Sequence, residues 1–333
     1  MKSRTARTLA TRVLAVALAA LAALVAPAIG QSRLKVRLGV VTVSSQMGLQ
    51  IAAAKGFFAR HGFEVELRPV TSGVQANQAL ASGQVDWSAG GIESTIVAAS
   101  TGLAFKPYAM YAKGGDSLAV LVRADANIRA PHDLEGKRVA VVAGTASAQG
   151  LSRLLEANGL SEADVMRVNA SFGTMGQMLV AGSVDAIVAL EPFLTVTQDR
   201  MGSDAVVLAR LGKYVQGGGF FLMSDAWVAA HPQSVGPAVE ALAEALQFVR
   251  QHPRGAAELN AGFVKADPAI IERSSKVFDF TWDIDPFTVT SLESTSTYLA
   301  RQRVIPGPVD TDTLMAWAVR VTDDLRKRRP DLQ

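Results

Sequence analysis

Cysteine is absent from all 333 residues. That excludes disulfides, thiolate metal sites and a cysteine nucleophile. It also excludes the lipid-modified cysteine that tethers many exported proteins. Histidine is scarce too. His61, His132, His231 and His252 stand alone, with no H-E-x-x-H spacing for a metal. No G-x-S-x-G elbow is present. Aromatic residues make up 6% of the chain, and the four tryptophans, Trp87, Trp227, Trp282 and Trp317, are dispersed. Core packing is the default for each, with Trp282, in a polar Thr-Trp-Asp stretch, the exception to expect. Neither charge sign dominates. Removing Lys2, Arg4, Arg7 and Arg12 from 33 basic side chains leaves 29 against 30 acidic ones, which gives nucleic acid little to bind. The one dense cationic run, Arg326–Arg329, reads as a solvated tail at a frayed C-terminus.

Long apolar runs are missing as well, apart from one. Val13–Ala26 is 14 residues of Ala, Leu and Val, short of the roughly 20 that a membrane helix needs. It follows a basic start and precedes Ala26, Ala28 and Gly30. Residues 1–30 therefore read as a secretory signal, cleaved after Ala28 or Gly30. An uncleaved anchor is the alternative. The expected location is the periplasm, as a monomer without cofactor. About 300 residues bury enough core to fold without disulfides.

What is present is a repeat. Gln78-Ala-Leu-Ala-Ser-Gly-Gln-Val-Asp86 recurs 99 positions later as Gln177-Met-Leu-Val-Ala-Gly-Ser-Val-Asp185. In both copies a helix ends at glycine and a strand follows, so one α/β unit is used twice. From Leu34 the pattern alternates strand and helix, which argues for mostly parallel sheets covered by helices. The fold class expected is α/β: two doubly wound lobes. Residues 31–116 plus 225–333 form the first lobe and 123–219 the second. The apolar segments 117–122 and 220–224 read as hinge crossings, with Gly217–Gly219 giving hinge freedom. A final helical series, from Val235 onward, returns to the first lobe.

A family likeness follows from particular runs. These are Ala54-Lys-Gly-Phe-Phe58 with Gly62-Phe-Glu-Val-Glu66, the stretch ending at Asp86, and Asp133-Leu-Glu-Gly-Lys-Arg-Val-Ala140. Leu190-Glu-Pro-Phe193, Gly217-Gly-Gly-Phe-Phe221 and Ile305–Asp310 complete the set. Over about residues 34–325 the chain resembles periplasmic solute-binding proteins of ABC importers, in the branch for nitrate, sulfonates, taurine and thiamine-pyrimidine precursors. The resemblance implies a hinged two-lobe trap of the type II periplasmic-binding-protein class. It also implies an ABC permease with its ATPase as partner. Fungal pyrimidine-making relatives depend on cysteine and histidine, so that enzymatic reading fails here. A sensory module presenting ligand to a receptor shares the same fold, and neighbouring permease and ATPase genes distinguish the two.

In open α/β sheets a ligand sits outside the carboxyl ends of the strands, against helix N-termini. The loops at such positions supply the candidates. Ser44, Ser45 and Gln46 offer hydroxyls and backbone N–H groups, or merely cap a helix. Thr71, Ser72 and Gly73 form a turn or a close approach to ligand. Gly91, Glu93 and Ser94 make a strand-to-helix turn, where Glu93 is a ligand contact or a first-turn acid. In the second unit Thr145, Ala146 and Ser147 open a helix as ligand-binding candidates, with Thr145 and Ser147 foremost for grasping oxyanion oxygens. Phe172 adds an aromatic face. Glu191 lies in the cleft or caps a helix; its family position favours the cleft, where it would meet a ligand ammonium. Phe193 is a stacking partner for an aromatic ligand. The solute expected is a small organic anion such as an alkanesulfonate or taurine. A pyrimidine, nitrate or an aromatic acid is the alternative.

Overall fold

The structure, a computed structural model, describes residues 33–333, so the proposed leader lies outside the described residues. Among the described residues ten strands form two five-stranded sheets. The strands are β1 Leu34–Val41, β2 Phe63–Val70, β3 Trp87–Gly91, β4 Phe105–Lys113, β5 Leu118–Arg123, β6 Arg138–Val141, β7 Met166–Asn169, β8 Ala186–Leu190, β9 Ala205–Arg210 and β10 Gly218–Ser224. The first sheet runs β2-β1-β3-β10-β4 and the second β7-β6-β8-β5-β9. Lys35–Gln333 packs as one compact unit.

Both sheets are mixed rather than mostly parallel. β1 pairs with β3 in parallel, and β6 with β7 and β8, but β10 runs antiparallel to β3 and β4. In the second sheet β5 runs antiparallel to β8 and β9. The two antiparallel strands are the segments that read as hinge crossings, and this is a correction. Leu118–Val122 and Phe220–Met223 are each at most 2% exposed, because each sits between two neighbours with both faces covered. A continuous apolar run marks such a strand as readily as a connector. The chain passes between the sheets one step outside them, through Gly114–Ser117 and back through Leu211–Gly217.

These two passages lie side by side. Gly114 N donates to Gln216 O at 3.3 Å. Gly217 and Gly218 have φ of 64° and 93°, in the left-handed region. A Cβ on Gly218 would sit 2.0 Å from Ala112 O, and one on Gly217 2.5 Å from Gly114 O. Glycine is required there by both conformation and space.

The repeat has a structural cause. Asp86 accepts from Arg37 N, Nε and Nη2 at 2.9, 3.1 and 2.8 Å. Asp185 accepts from Arg138 N, Nε and Nη2 at 2.9, 3.1 and 2.8 Å. Each aspartate thus ties the start of a sheet strand to the loop that leaves a helix. The arginine in turn returns its carbonyl to the aspartate N–H at 2.9 Å in both lobes.

The last five helices, Val235–Gln251, Pro253–Val264, Pro268–Ser275, Pro286–Arg301 and Thr311–Arg328, pack on the first sheet and its helices. The terminus beyond them is pinned, not frayed. Arg328 and Arg329 reach Glu240 at 3.1 and 2.6 Å, and Leu332 is fully buried, its carbonyl accepting from Trp282 Nε1 at 3.0 Å. Trp282 is therefore a core residue at 1% exposure, against expectation. Trp317, at 44%, is the tryptophan that is not. A cationic run looks like a solvated tail in sequence unless its acidic partners, here some 85 residues away, are known.

Candidate functional site

Five helix beginnings face a cleft between the sheets. The turn Ser44–Gln46 leads from β1 into the helix Met47–Ala54. Gly73 opens Gly73–Ala81, and Gly91 passes directly from β3 into Ile92–Ser100. From the second sheet come Thr145, ahead of Ala146–Glu156, and Phe172, the first residue of Phe172–Val180. The cleft encloses about 540 Å³, solvent space at its mouth included. Its polar lining is Ser45, Gln46, Glu93, Ser94, Tyr111 and Thr145. Its apolar lining is Val41, Val43, Leu118, Ala146, Phe172 and Leu190, with Gly73, Gly91, Gly217 and Gly218 completing the wall. Among the described residues no lysine, arginine or histidine belongs to this lining.

The positions follow from local rules. Ser72 caps its helix, accepting from Gln75 N at 3.2 Å, which leaves Gly73 at the cleft. A Cβ on Gly73 would stand 2.8 Å from Ser94 Oγ, so glycine lets two helix starts approach. Gln46 is 3% exposed. Its side chain accepts from Val41 N at 2.7 Å and donates to Ala89 O at 3.3 Å, tying the ends of β1 and β3 together. Tyr111 Oη donates to Gly90 O at 3.4 Å, and burial holds its phenol well above the usual range. Thr145 Oγ1 donates to Val142 O at 2.8 Å while accepting from Ser147 N at 3.2 Å, so its hydroxyl is both cap and cleft wall.

Glu93 is the one carboxylate in the lining. It is 2% exposed, and burial pushes its carboxyl up from 4.5 to about 7, against the pull of its own backbone N–H and of Arg153.

The structure separates the candidates. Ser45, Gln46, Gly91, Glu93, Ser94, Thr145, Ala146 and Phe172 line the cleft. Ser44 does not; it is buried 3.3 Å from Ser274 Oγ. Thr71 is exposed and bonds Gln75 Oε1, and Ser72 is the cap already described. Ser147 is fully buried and donates to Val188 O at 2.9 Å, so it tethers its helix to β8 instead of reaching into the cleft. Glu191 accepts from Thr195 N and Oγ1 at 3.2 and 2.8 Å and stands 3.7 Å from Arg210; it serves the start of Phe193–Met201. Phe193 packs half-buried against the second core. Cleft residues that the sequence left unnamed are apolar strand ends, Val41, Leu118 and Leu190, together with Tyr111. Only the pairing of strands shows which end of an apolar run faces the cleft.

Contacts cross the cleft in this structure. Ser152 Oγ and Tyr298 Oη lie 2.6 Å apart, Arg301 reaches Glu156 at 3.3 Å, and Arg273 pairs with Asp199. Among the described residues no group of His, Cys, Asp and Glu could hold a metal ion. No described helix is long and apolar enough to cross a membrane.

Two mixed α/β sheets joined by two adjacent passages of chain, with a cleft between them, define the periplasmic-binding-protein fold. Residues 44–256 match the family described as NMT1/THI5 like, and the chain belongs to that family. An aliphatic sulfonates-binding protein of Bacillus subtilis is 25% identical over 246 residues, covering 73% of each chain. The alkanesulfonate-binding protein SsuA from Xanthomonas axonopodis pv. citri, bound to MOPS, superposes with a TM-score of 0.75 at 22% identity, covering 85% of this chain and 97% of that one. The desulfurization enzyme DSZB shares the fold at a TM-score of 0.69 and 19% identity, covering 89% and 99%. The fold alone therefore does not separate binder from catalyst.

Proposed function

We propose that the protein captures a small organic anion, such as an alkanesulfonate or taurine, by closure of the two lobes around it. It then hands the anion to an ABC permease driven by its ATPase, outside the cytoplasmic membrane. The observation that carries this reading is the convergence of five helix N-termini, from both lobes, on a cleft with an otherwise apolar wall. Each N-terminus carries about half a positive charge and unpaired N–H donors. An anionic head is held by these neutral donors without a lysine or arginine, and the apolar wall takes the carbon body. Nitrate, which has no carbon body, leaves that wall unfilled. Among the described residues a catalytic role finds no histidine, lysine or cysteine in the lining. The relatives named for sulfonates support the same ligand class.

A ligand stabilises closure only by its difference in affinity for the two states. Moving the closed fraction from 1:99 to 99:1 takes about 5.5 kcal/mol. Two to four charge-assisted hydrogen bonds of roughly 1.5–3 kcal/mol each supply it.

A thermal-shift screen of alkanesulfonates, taurine, nitrate, aromatic acids and pyrimidines tests the ligand class. An organic anion at about 100 times its Kd adds roughly 2.7 kcal/mol and raises Tm. A response to nitrate alone, or to none of the panel, contradicts the reading. Stimulation of a co-purified permease and ATPase by the loaded protein distinguishes transport from a sensory role.

A further inference from the structure

Glu93 is in the first turn of Ile92–Ser100, whose cap residue Gly91 has no side chain to offer, and on its own helix its carboxylate meets its own backbone N–H. Across the cleft, Gln149 and Arg153 stand one turn apart on Ala146–Glu156. With its amide nitrogen toward the acid, Gln149 donates to Glu93 Oε1 at 2.7 Å and accepts from Arg153 Nη2 at 3.2 Å. Arg153 is anchored behind it. Nη1 donates to Tyr214 O at 2.8 Å, and the guanidinium stacks on the Tyr298 ring at 4.3 Å. Tyr298 is itself bonded to Ser152. Positive charge therefore reaches Glu93 only through an amide, and the acid lies in the wall of a site otherwise suited to anions.

A merely structural role fits this poorly. A glutamine at position 93 would satisfy Gln149 without burying a carboxylate, whose burial without a direct counter-ion costs stability. What the arrangement lacks is a cation or an N–H group on the cleft side. We propose that Glu93 sets the specificity of the cleft, accepting the ammonium or N–H end of a zwitterionic ligand whose anionic end lies against the helix N-termini. Gln149 and Arg153 are positioning residues that hold the acid when the lobes meet. This rests on the cleft being an anion-capturing site, and it narrows the ligand to a short ω-amino acid with a sulfonate or carboxylate head.

The surroundings of Glu93 permit a clean pH signature. Strands β3 and β10 and the helix Gly73–Ala81, all packed against its helix, carry no ionisable side chain. From Ala146–Glu156 comes Arg153. Glu156 on that helix and Arg301 on Pro286–Arg301 are occupied with each other, and Glu293 faces the outer groove beside them. Tyr298 is the stacked ring, and Tyr111 from β4 keeps its proton. Glu93 itself, raised to about 7, is the group that titrates near neutrality. A bound ammonium favours its ionised form, so taurine binding strengthens as pH rises from about 6 to 8. A plain sulfonate favours the protonated acid and weakens over the same range.

Calorimetric titration with taurine and with ethanesulfonate, which differ only by the amino group, tests this at about pH 6 and pH 8. Taurine is expected to bind up to about tenfold tighter at the higher pH, the limit set by ionisation of a carboxyl at about 7. Glu93→Gln brings the two affinities together and flattens both pH profiles. Gln149→Leu weakens taurine more than ethanesulfonate and leaves Tm close to that of the parent. If both bind and Glu93→Gln leaves their ratio and pH profiles unchanged, the role of Glu93 is overturned while anion capture stands. If ethanesulfonate binds as tightly as taurine at both pH values, the zwitterion is overturned as well. If neither binds, the reading of the cleft itself falls, and this inference with it.

Discussion

Glu93 and Glu191 are both 2% exposed, yet only Glu93 faces the cleft. Sequence order favours Glu191, which follows the buried strand β8 and precedes proline. The difference lies in what each carboxylate meets. Glu191 finds the N–H and hydroxyl of Thr195 one turn ahead, a local bond that any acid at a helix start can make. On its own helix Glu93 meets its own backbone N–H, and the side-chain donor that faces it is Gln149 from the other lobe. Its raised carboxyl has a consequence for the empty protein. Because the folded form holds the proton up to about pH 7 and the ordinary value is 4.5, the cost of ionising it grows between these limits and is constant above them. At about 1.4 kcal/mol per unit that cost is on the order of 3 kcal/mol as an upper bound. Glu93→Gln should therefore raise the ligand-free Tm at about pH 8 and leave it nearly unchanged below about pH 4.5. Equal gains at both, read by thermal unfolding, would show that the carboxyl is not perturbed. At the passage between lobes, Gly218→Val should lower stability by more than about 2 kcal/mol, since the new side chain meets Ala112 O in a conformation that β-branched residues avoid. A denaturant midpoint equal to the parent's would contradict the packing described there.

Among the elements, those with strong punctuation were legible. Ile92–Ser100, Phe193–Met201, Val235–Gln251 and Pro286–Arg301 have the limits that periodicity, glycine stops and proline starts imply. Others were not. The stretch 47–61, readable as one helix, is broken at Gly56, whose φ of 71° ends Met47–Ala54 before Phe57–Arg60 begins. The strand after the first copy of the repeat begins at Trp87, not Gln84, directly after Asp86, whose side chain and backbone N–H are both engaged by Arg37. Strand direction was the larger gap. Nothing within Leu118–Arg123 or Gly218–Ser224 tells a buried antiparallel strand from a connector; only the long-range pairing does. The repeated aspartates offer a test at this scale. Asp86→Ala and Asp185→Ala each leave a backbone N–H and a guanidinium without their acceptor, and each should cost on the order of 1–3 kcal/mol. Both variants should keep the affinity of the parent in calorimetry, since neither aspartate lines the cleft. A large loss of affinity at unchanged stability would place the repeat in the binding site instead.

For the whole molecule, the two-unit architecture was legible because the same ion-paired turn is spelled twice, and ligand loops could be placed at strand ends by rule. What no local pattern conveys is how the lobes meet. Ser152 with Tyr298, Glu156 with Arg301, and Glu93 with Gln149 join residues 56 to 146 positions apart. In the capture-by-closure reading proposed above, these contacts belong to the closed form and are made and broken about Gly114–Ser117 and Leu211–Gly217. The lack of cysteine makes this directly measurable. Met166→Cys on the second sheet and Val304→Cys near the mouth of the cleft are exposed positions, 56% and 50% in the parent, and each accepts a spin label with no competing thiol. Pulsed distance measurement on the doubly labelled protein should give a broad or double distribution without ligand and a single shorter distance with saturating taurine. One unchanged distance, with calorimetry showing that taurine is bound, would contradict capture by closure.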